Sequence, residues 1–286
     1  MTGSLASKCP QRQVAVVTPV VRLPLSHEEE ISMRHLRKHL GRFDRYIIGL
    51  QNLPKALSDF ALARFPPRYF TDRFGYNRLL LRQGFYRAFA EYEYILIYQL
   101  DCLVFASNLE DWCRKGWDYA GAPWLKDTGD PTKGFSLVGN GGFSLRKVQS
   151  AIDVLTSGQF LEDPKTRGLQ TGPRSRIVHD RLESKSLLKR LFIAGKTFLH
   201  RCGYHNNVRW VVRDTVRTNR HEDQFWAHDA RKFVKQFRIP SPEDALEFSF
   251  ELAPRYCFAA NAARLPFGCH AWSQYDRHFW EPFLLK

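Results

Sequence analysis

The apolar positions of the first hundred residues change period several times. Residues 13–20, Gln13-Val14-Ala15-Val16-Val17-Thr18-Pro19-Val20, are a β-rich run closed by a proline, and Arg45-Tyr46-Ile47-Ile48-Gly49-Leu50 is a second. Between them residues 26–40 have helical character, so the opening reads strand, loop, helix, strand. A longer amphipathic stretch, residues 77–92, predicts a helix that delivers the chain into the most apolar segment of all, residues 94–105. That segment reads as a buried strand with one acid, Asp101, inside it. An ionised carboxylate is costly to bury unless something cationic meets it, so Asp101 either asks for a metal or basic partner or marks the strand's end.

Strands alternating with helices predict an α/β fold with a mainly parallel sheet, whose ligand crevice lies beyond the carboxyl ends of the strands. Thr18, Pro19 and Asp101 then fall at that crevice. Residues 117–124 are aromatic and bounded by Gly121 and Pro123, the signature of a strand leaving the core for a loop. The next block, Val138-Gly139-Asn140-Gly141-Gly142-Phe143-Ser144-Leu145-Arg146, has three glycines and an asparagine. It admits two readings: a loop whose backbone approaches a ligand closely, or a hairpin turn before a helix over 147–156. It lacks the lysine and the spacing of a phosphate-binding P-loop.

Charge adds a second layer. The 286 residues carry 43 Lys and Arg against 29 Asp and Glu, a net +14, and residues 161–220 hold fourteen of those cations with only five acids. Within that basic stretch, residues 184–199 place apolar side chains at helical spacing between cations. Such a helix rests on an acidic membrane surface or packs on the domain and solvates its basic face. The whole of 161–218 therefore reads as a basic, partly helical insertion within a single domain spanning 1–286. Nucleic acid is the other partner a basic chain suggests, but no recognition motif accompanies the charge. Six cysteines without a CxxC pair read as reduced and structural. Residues 1–13 lack the apolar core of a secretory signal, and no run of eighteen uncharged apolar residues occurs. The expected location is cytoplasmic, soluble or peripheral at the inner face of the membrane.

Beyond the insertion, Glu222 and Asp223 open a helical pattern that runs to Phe233. Two acids in a first turn suit the helix dipole; as a catalytic pair, one would take a proton from an attacking hydroxyl while the other orients a substrate hydroxyl. His270 stands alone between small and aromatic residues, where a structural role is the ordinary one.

Five blocks in order carry a resemblance: Tyr98-Gln99-Leu100-Asp101, Gly121-Ala122-Pro123-Trp124, residues 139–146, Glu222-Asp223-Gln224-Phe225-Trp226, and Pro266-Phe267-Gly268-Cys269-His270-Ala271-Trp272. Over about 13–160 and 219–282 the chain resembles nucleotide-sugar glycosyltransferases of GT-A type, a Rossmann-like fold, and within them the bacterial family of domain of unknown function 5672. The resemblance implies a sugar transferred from a nucleotide donor, such as a UDP-sugar, to a hydroxyl of a saccharide or lipid-linked acceptor in polysaccharide or glycolipid assembly. It implies Mn²⁺ or Mg²⁺ held by an Asp-x-Asp strand end and a C-terminal His, roles that Asp101 and His270 match. Gln99 stands where the first acid of that motif belongs, which weakens the metal site. Thr18, Pro19, Asn77, Gln99, Asp101, Asn140, Gly141 and Gly142 would face the donor, and Asp223, with Glu222 beside it, would be the base. Two alternatives stay in view: a catalytically silent nucleotide- or sugar-binding relative, and a basic nucleic-acid-binding protein.

Overall fold

The computed structural model describes residues 12–161 and 206–285, together with 195, 198 and 199. Its strands are β1 (Arg12–Pro19), β2 (Asp44–Ile48), β3 (Ala61–Leu62), β4 (Tyr92–Tyr98), β5 (Leu103–Val104), β6 (Tyr119–Ala120), β7 (Pro123–Leu125), β8 (Phe135–Val138), β9 (Phe143–Lys147), β10 (Ser249–Phe250) and β11 (Gly268–Cys269). Six of them make the central sheet in the order β3-β2-β1-β4-β9-β6. The first four run parallel and β9 is antiparallel to both its neighbours, so the sheet is mixed and mainly parallel.

Both faces of this sheet are covered, which is why Val14–Val17 of β1 and Tyr94–Tyr98 of β4 are apolar and buried at successive positions rather than alternating. Ala15, Val17, Ile95 and Ile97 point to one side, against Leu79, Leu80, Phe85, Tyr86 and Trp226; Val14, Val16, Leu96 and Tyr98 point to the other, against Met33, Leu36, Leu40 and Trp112. A third cluster gathers Leu103, Phe250, Cys269, Trp272 and Trp280 around the small β10-β11-β5 sheet.

Helix α1 (His27–Leu40) shows how local signals seat one element. The Ser26 hydroxyl accepts from Glu29 N–H at 3.2 Å, while Glu29 accepts from Ser26 N–H at 2.7 Å, a reciprocal capping box. Glu28, Glu29 and Glu30 lie at its positive end and Arg37, Lys38 and His39 at its negative end, so charge and dipole agree.

Two predicted elements break where the pattern reads as continuous. The helix expected over 77–92 is α2 (Arg73–Leu80) followed by α3 (Gln83–Arg87), with Arg82 extended between them. On one straight helix Leu80 and Phe85 would point about 140° apart. The break lets both bury in the same core.

The run over 94–105 is likewise two strands. β4 ends at Tyr98, the chain turns with Cys102 N–H donating to Gln99 C=O at 3.0 Å, and β5 pairs antiparallel with β11 in another sheet. Asp101 sits in this turn, half-exposed, and not inside a buried strand.

Helices α4 (Leu109–Arg114), α5 (Val148–Thr156), α6 (Val208–Arg217) and α7 (Glu222–His228) complete what positions the site. α6 closes the basic stretch, yet its Val208 and Val211 pack in the central core. The amphipathic pattern over 184–199 and the cysteines at 9 and 202 lie outside the described residues, apart from Gly195, Phe198 and Leu199, all exposed. No described helix is long and apolar enough to cross a membrane.

Candidate active site

β1 is the point where the sheet's connections reverse, since β2 continues on one side of it and β4 on the other. In open α/β sheets that reversal leaves a crevice beyond the carboxyl ends of the two strands. A cavity of about 440 Å³ opens there, lined by Pro19 at the end of β1 and Arg22 beyond it, Gln99 and Asp101 after β4, and Arg73 and Tyr76 from α2. Pro19, Gln99 and Asp101 are where the sequence places them. Thr18 is fully buried, its hydroxyl without a hydrogen-bond partner among the described residues, and does not line the cavity; Asn77 is half-buried outside it, its amide nitrogen likewise without a partner among the described residues.

At the crevice edge His270 stands between two carboxylates. Its Nδ1 donates to Glu251 at 2.8 Å, and its Nε2 faces Asp101 Oδ2 and Gln99 Oε1, each at 3.4 Å. Burial disfavours the imidazolium, but the hydrogen bonds and charges of Asp101 and Glu251 outweigh it and push His270 up to about 10. For Asp101, burial would raise the carboxyl, and the bond to His270 instead holds it below its ordinary value. The sequence reading missed Glu251. It follows the two-residue strand β10, and nothing local to it signals a partner nineteen residues on.

The Gly139–Gly142 segment joins this edge to the second acidic group. It is not a hairpin: β8 pairs with β7, whereas β9 pairs with β4 and β6. Asn140 takes a left-handed conformation at φ 71°, and its side-chain oxygen accepts from Gly142 N–H at 3.1 Å, closing a tight turn. Its buried side chain thus serves the turn, and its amide nitrogen has no partner among the described residues. The glycines are dictated by protein neighbours. A Cβ at Gly141 would lie 2.2 Å from Glu222 Oε1, and one at Gly142 would lie 2.2 Å from His270 Nε2. The close approach expected of this loop is therefore met by Glu222 and His270.

Glu222 and Asp223, adjacent in sequence, live in different environments. Glu222 is buried and receives both Arg146 terminal nitrogens, Nη1 at 2.9 Å and Nη2 at 2.6 Å, while Arg146 also donates to Ser144 and Tyr86. Burial opposes the Arg146 charge and the Glu222 carboxylate more than restores it, so the guanidinium stays charged. A carboxylate so engaged is an anchor. Arg146 was legible in principle, as a cation beside Phe143 and Leu145 in a strand that enters the core, where it must find an acid.

Asp223 instead accepts from Asn140 N–H at 3.0 Å and from Gln224 N–H at 2.8 Å. Burial first, then the charges of Glu222 and Glu251, push its carboxyl up to about 7, against those two N–H bonds. A carboxyl poised near neutrality suits proton transfer, and Asp223, which does not itself line the cavity, is tied to its edge through the glycine turn. The Asn140–Gly142 turn spans the distance between the two acidic centres, holding Asp223 at one end and touching His270 at the other.

The donors at the edge bear on the metal. Asp101, Cys102 and His270 offer ligand atoms all within 4.8 Å of one another, and Gln99 adds a neutral oxygen. One carboxylate, an imidazole, a thiol and an amide oxygen suit a transition ion that accepts nitrogen and sulfur donors; Mg²⁺ demands a more nearly all-oxygen, octahedral shell.

No curated protein matches this sequence. A protein family described as "Protein of unknown function (DUF5672)" matches residues 59–270, well over half of the chain and including Gln99, Asp101, the glycine turn, Glu222, Asp223, Glu251 and His270. The chain belongs to that family, DUF5672.

Proposed function

We propose that this chain is a glycosyltransferase of GT-A type that moves a sugar from a nucleotide donor, a UDP-sugar in the simplest case, to a hydroxyl of a saccharide or lipid-linked acceptor. One observation carries the reading. The crevice at the β1–β4 reversal has Asp101 and His270 on its edge, and a half-buried carboxyl poised near neutrality, Asp223, stands across the glycine turn from them.

In the step this supports, Asp223 accepts the proton of the acceptor hydroxyl. That oxygen bonds to the anomeric carbon as the bond from that carbon to phosphate oxygen breaks, and the electron pair leaves with the nucleoside diphosphate. Arg22 and Arg73 line the crevice and stabilise the charge that develops on the leaving group. A divalent ion held by Asp101 and His270, when bound, adds charge stabilisation to the same diphosphate. The basic stretch over 161–220 would favour an anionic acceptor, or one presented at the acidic inner face of a membrane.

The test is release of nucleoside diphosphate from a panel of nucleotide sugars in the presence of saccharide and glycolipid acceptors. Native protein should turn over one donor, and Asp223→Asn should lose roughly 10²–10⁴-fold in rate while keeping donor affinity. An Asp223→Asn variant at full rate contradicts the base assignment. A second reading, a binding protein without turnover, is favoured by one observation: Gln99 supplies a neutral oxygen where the motif's other carboxylate would be. Tight donor binding with no turnover by native protein would select it.

A further inference from the structure

We propose that Cys102 is a metal ligand, and that with Asp101, His270 and Gln99 it forms a site selecting a thiophilic divalent ion, Zn²⁺ or Co²⁺, over Mn²⁺ and Mg²⁺. This rests on the metal-assisted reading above only for the site's use, not for its existence.

The geometry points the same way from two segments. The turn after β4 brings Gln99, Asp101 and Cys102 together within four residues, and β11 delivers His270 from the other sheet. His270 Nε2 lies 3.4 Å from both Asp101 Oδ2 and Gln99 Oε1, and Cys102 Sγ lies 3.9 Å from Asp101 Oδ1. Bonds of about 2.0 Å to N and O and 2.3 Å to S, set tetrahedrally, put neighbouring donor atoms roughly 3.3–3.6 Å apart. Those three pairs stand near that spacing, and the ligand atoms of Asp101, Cys102 and His270 all lie within 4.8 Å of one another.

A second feature is independent of the spacing. Glu251 takes the proton on His270 Nδ1 at 2.8 Å, and the Gly142 backbone walls the ring so tightly that a Cβ there would meet Nε2. A carboxylate on the far nitrogen fixes the tautomer and aims the near one, the support that metal-bound imidazoles ordinarily have. The Cys102 thiol is fully buried at the inner side of the site, packed in the core cluster, and donates at 3.3 Å to the C=O of Gly142, the residue that also walls the His270 ring. On loading, the Nε2 proton and the thiol proton leave to solvent, and the ion's charge replaces theirs between two carboxylates.

Co²⁺ is the probe, because a cobalt–thiolate bond gives a charge-transfer absorption that oxygen and nitrogen ligands do not. Native protein, freed of metal and with no nucleotide present, is titrated with Co²⁺ and then competed with Zn²⁺ and Mn²⁺. The expected result is a one-equivalent band displaced by Zn²⁺ at stoichiometric concentration and not by Mn²⁺. Cys102→Ser should abolish the band and weaken Zn²⁺ at least about tenfold, while changing Mn²⁺ affinity by less than about twofold. His270→Gln keeps the thiol and should also lose the band, which guards against a Cys102 variant that misfolds. No band with native protein, or a band that survives Cys102→Ser, overturns the proposal. Because no nucleotide enters, failure here leaves the donor crevice untouched, and failure of donor binding leaves this result standing.

Discussion

Arg146 and Glu222 neutralise each other out of contact with water, each no more than 2% exposed, so removing either strands a charge. Arg146→Met is expected to lower unfolding free energy by about 3–5 kcal/mol, whereas Arg146→Met with Glu222→Leu should recover much of that loss. Urea unfolding of the two variants checks it, and equal destabilisation would contradict the pairing. Glycine 142 is the second sensitive position. Gly142→Ala drives a methyl group against His270, so it should destabilise the fold by about 1–3 kcal/mol and tilt the ring away from Asp101. An NMR titration in which the His270 ring keeps its elevated protonation in that variant would show that the ring is held by other contacts. At this scale the sequence was legible wherever chemistry is unusual for its setting: an acid amid apolar residues, Asp101, and a pair of acids, Glu222 and Asp223. It was silent on which of the pair is anchored, because that is decided by Arg146, 76 residues earlier.

Elements were read well where a local cap or period decides them. α1 begins behind Ser26 and ends at Leu40 as its capping box and charge order require. Ser26→Ala should therefore cost about 1 kcal/mol, measurable in chemical denaturation, with the helix otherwise intact. Breaks were missed where local signals are uniform and distant partners choose the fold. The turn at 99–102 interrupts an unbroken apolar run because Gln99 N–H donates to Gly142 C=O at 3.0 Å and β5 finds β11, both long-range events. That same unreadable turn moves Asp101 from the inside of a strand to the edge of the crevice, where it meets His270. The glycine block was recognised as a place of close approach; that its neighbours are Glu222 and His270 is information only the assembled sheet contains.

Across the whole molecule, titrating groups pull stability in opposite directions. His35 is buried, donating to Val104 C=O and accepting from Leu285 N–H, and burial lowers its pKa to about 4 from 6.5. Its neutral form contributes stability above pH 6.5 that is lost as pH falls towards 4. Asp223, raised to about 7 from 3.8, works the other way: the native state keeps a proton the unfolded chain has released, so stability falls as pH rises from about 4 to 7. Removing that carboxyl should leave the His35 slope unopposed. Thermal melts across this window should climb more steeply with pH for Asp223→Asn than for native protein; parallel curves would mean Asp223 titrates as an ordinary surface acid. The net charge of +14 belongs to this scale too, as attraction for an anionic donor or acceptor that salt should weaken. The central claim, that the crevice between β1 and β4 holds a nucleotide, is tested most directly by calorimetric titration of native protein and Asp101→Asn with a panel of nucleoside diphosphates, each with and without divalent metal. The account predicts that one base binds, that metal tightens it, and that Asp101→Asn removes the metal's contribution. Failure of every nucleotide to bind, or binding that Asp101→Asn leaves equally metal-responsive, would contradict it.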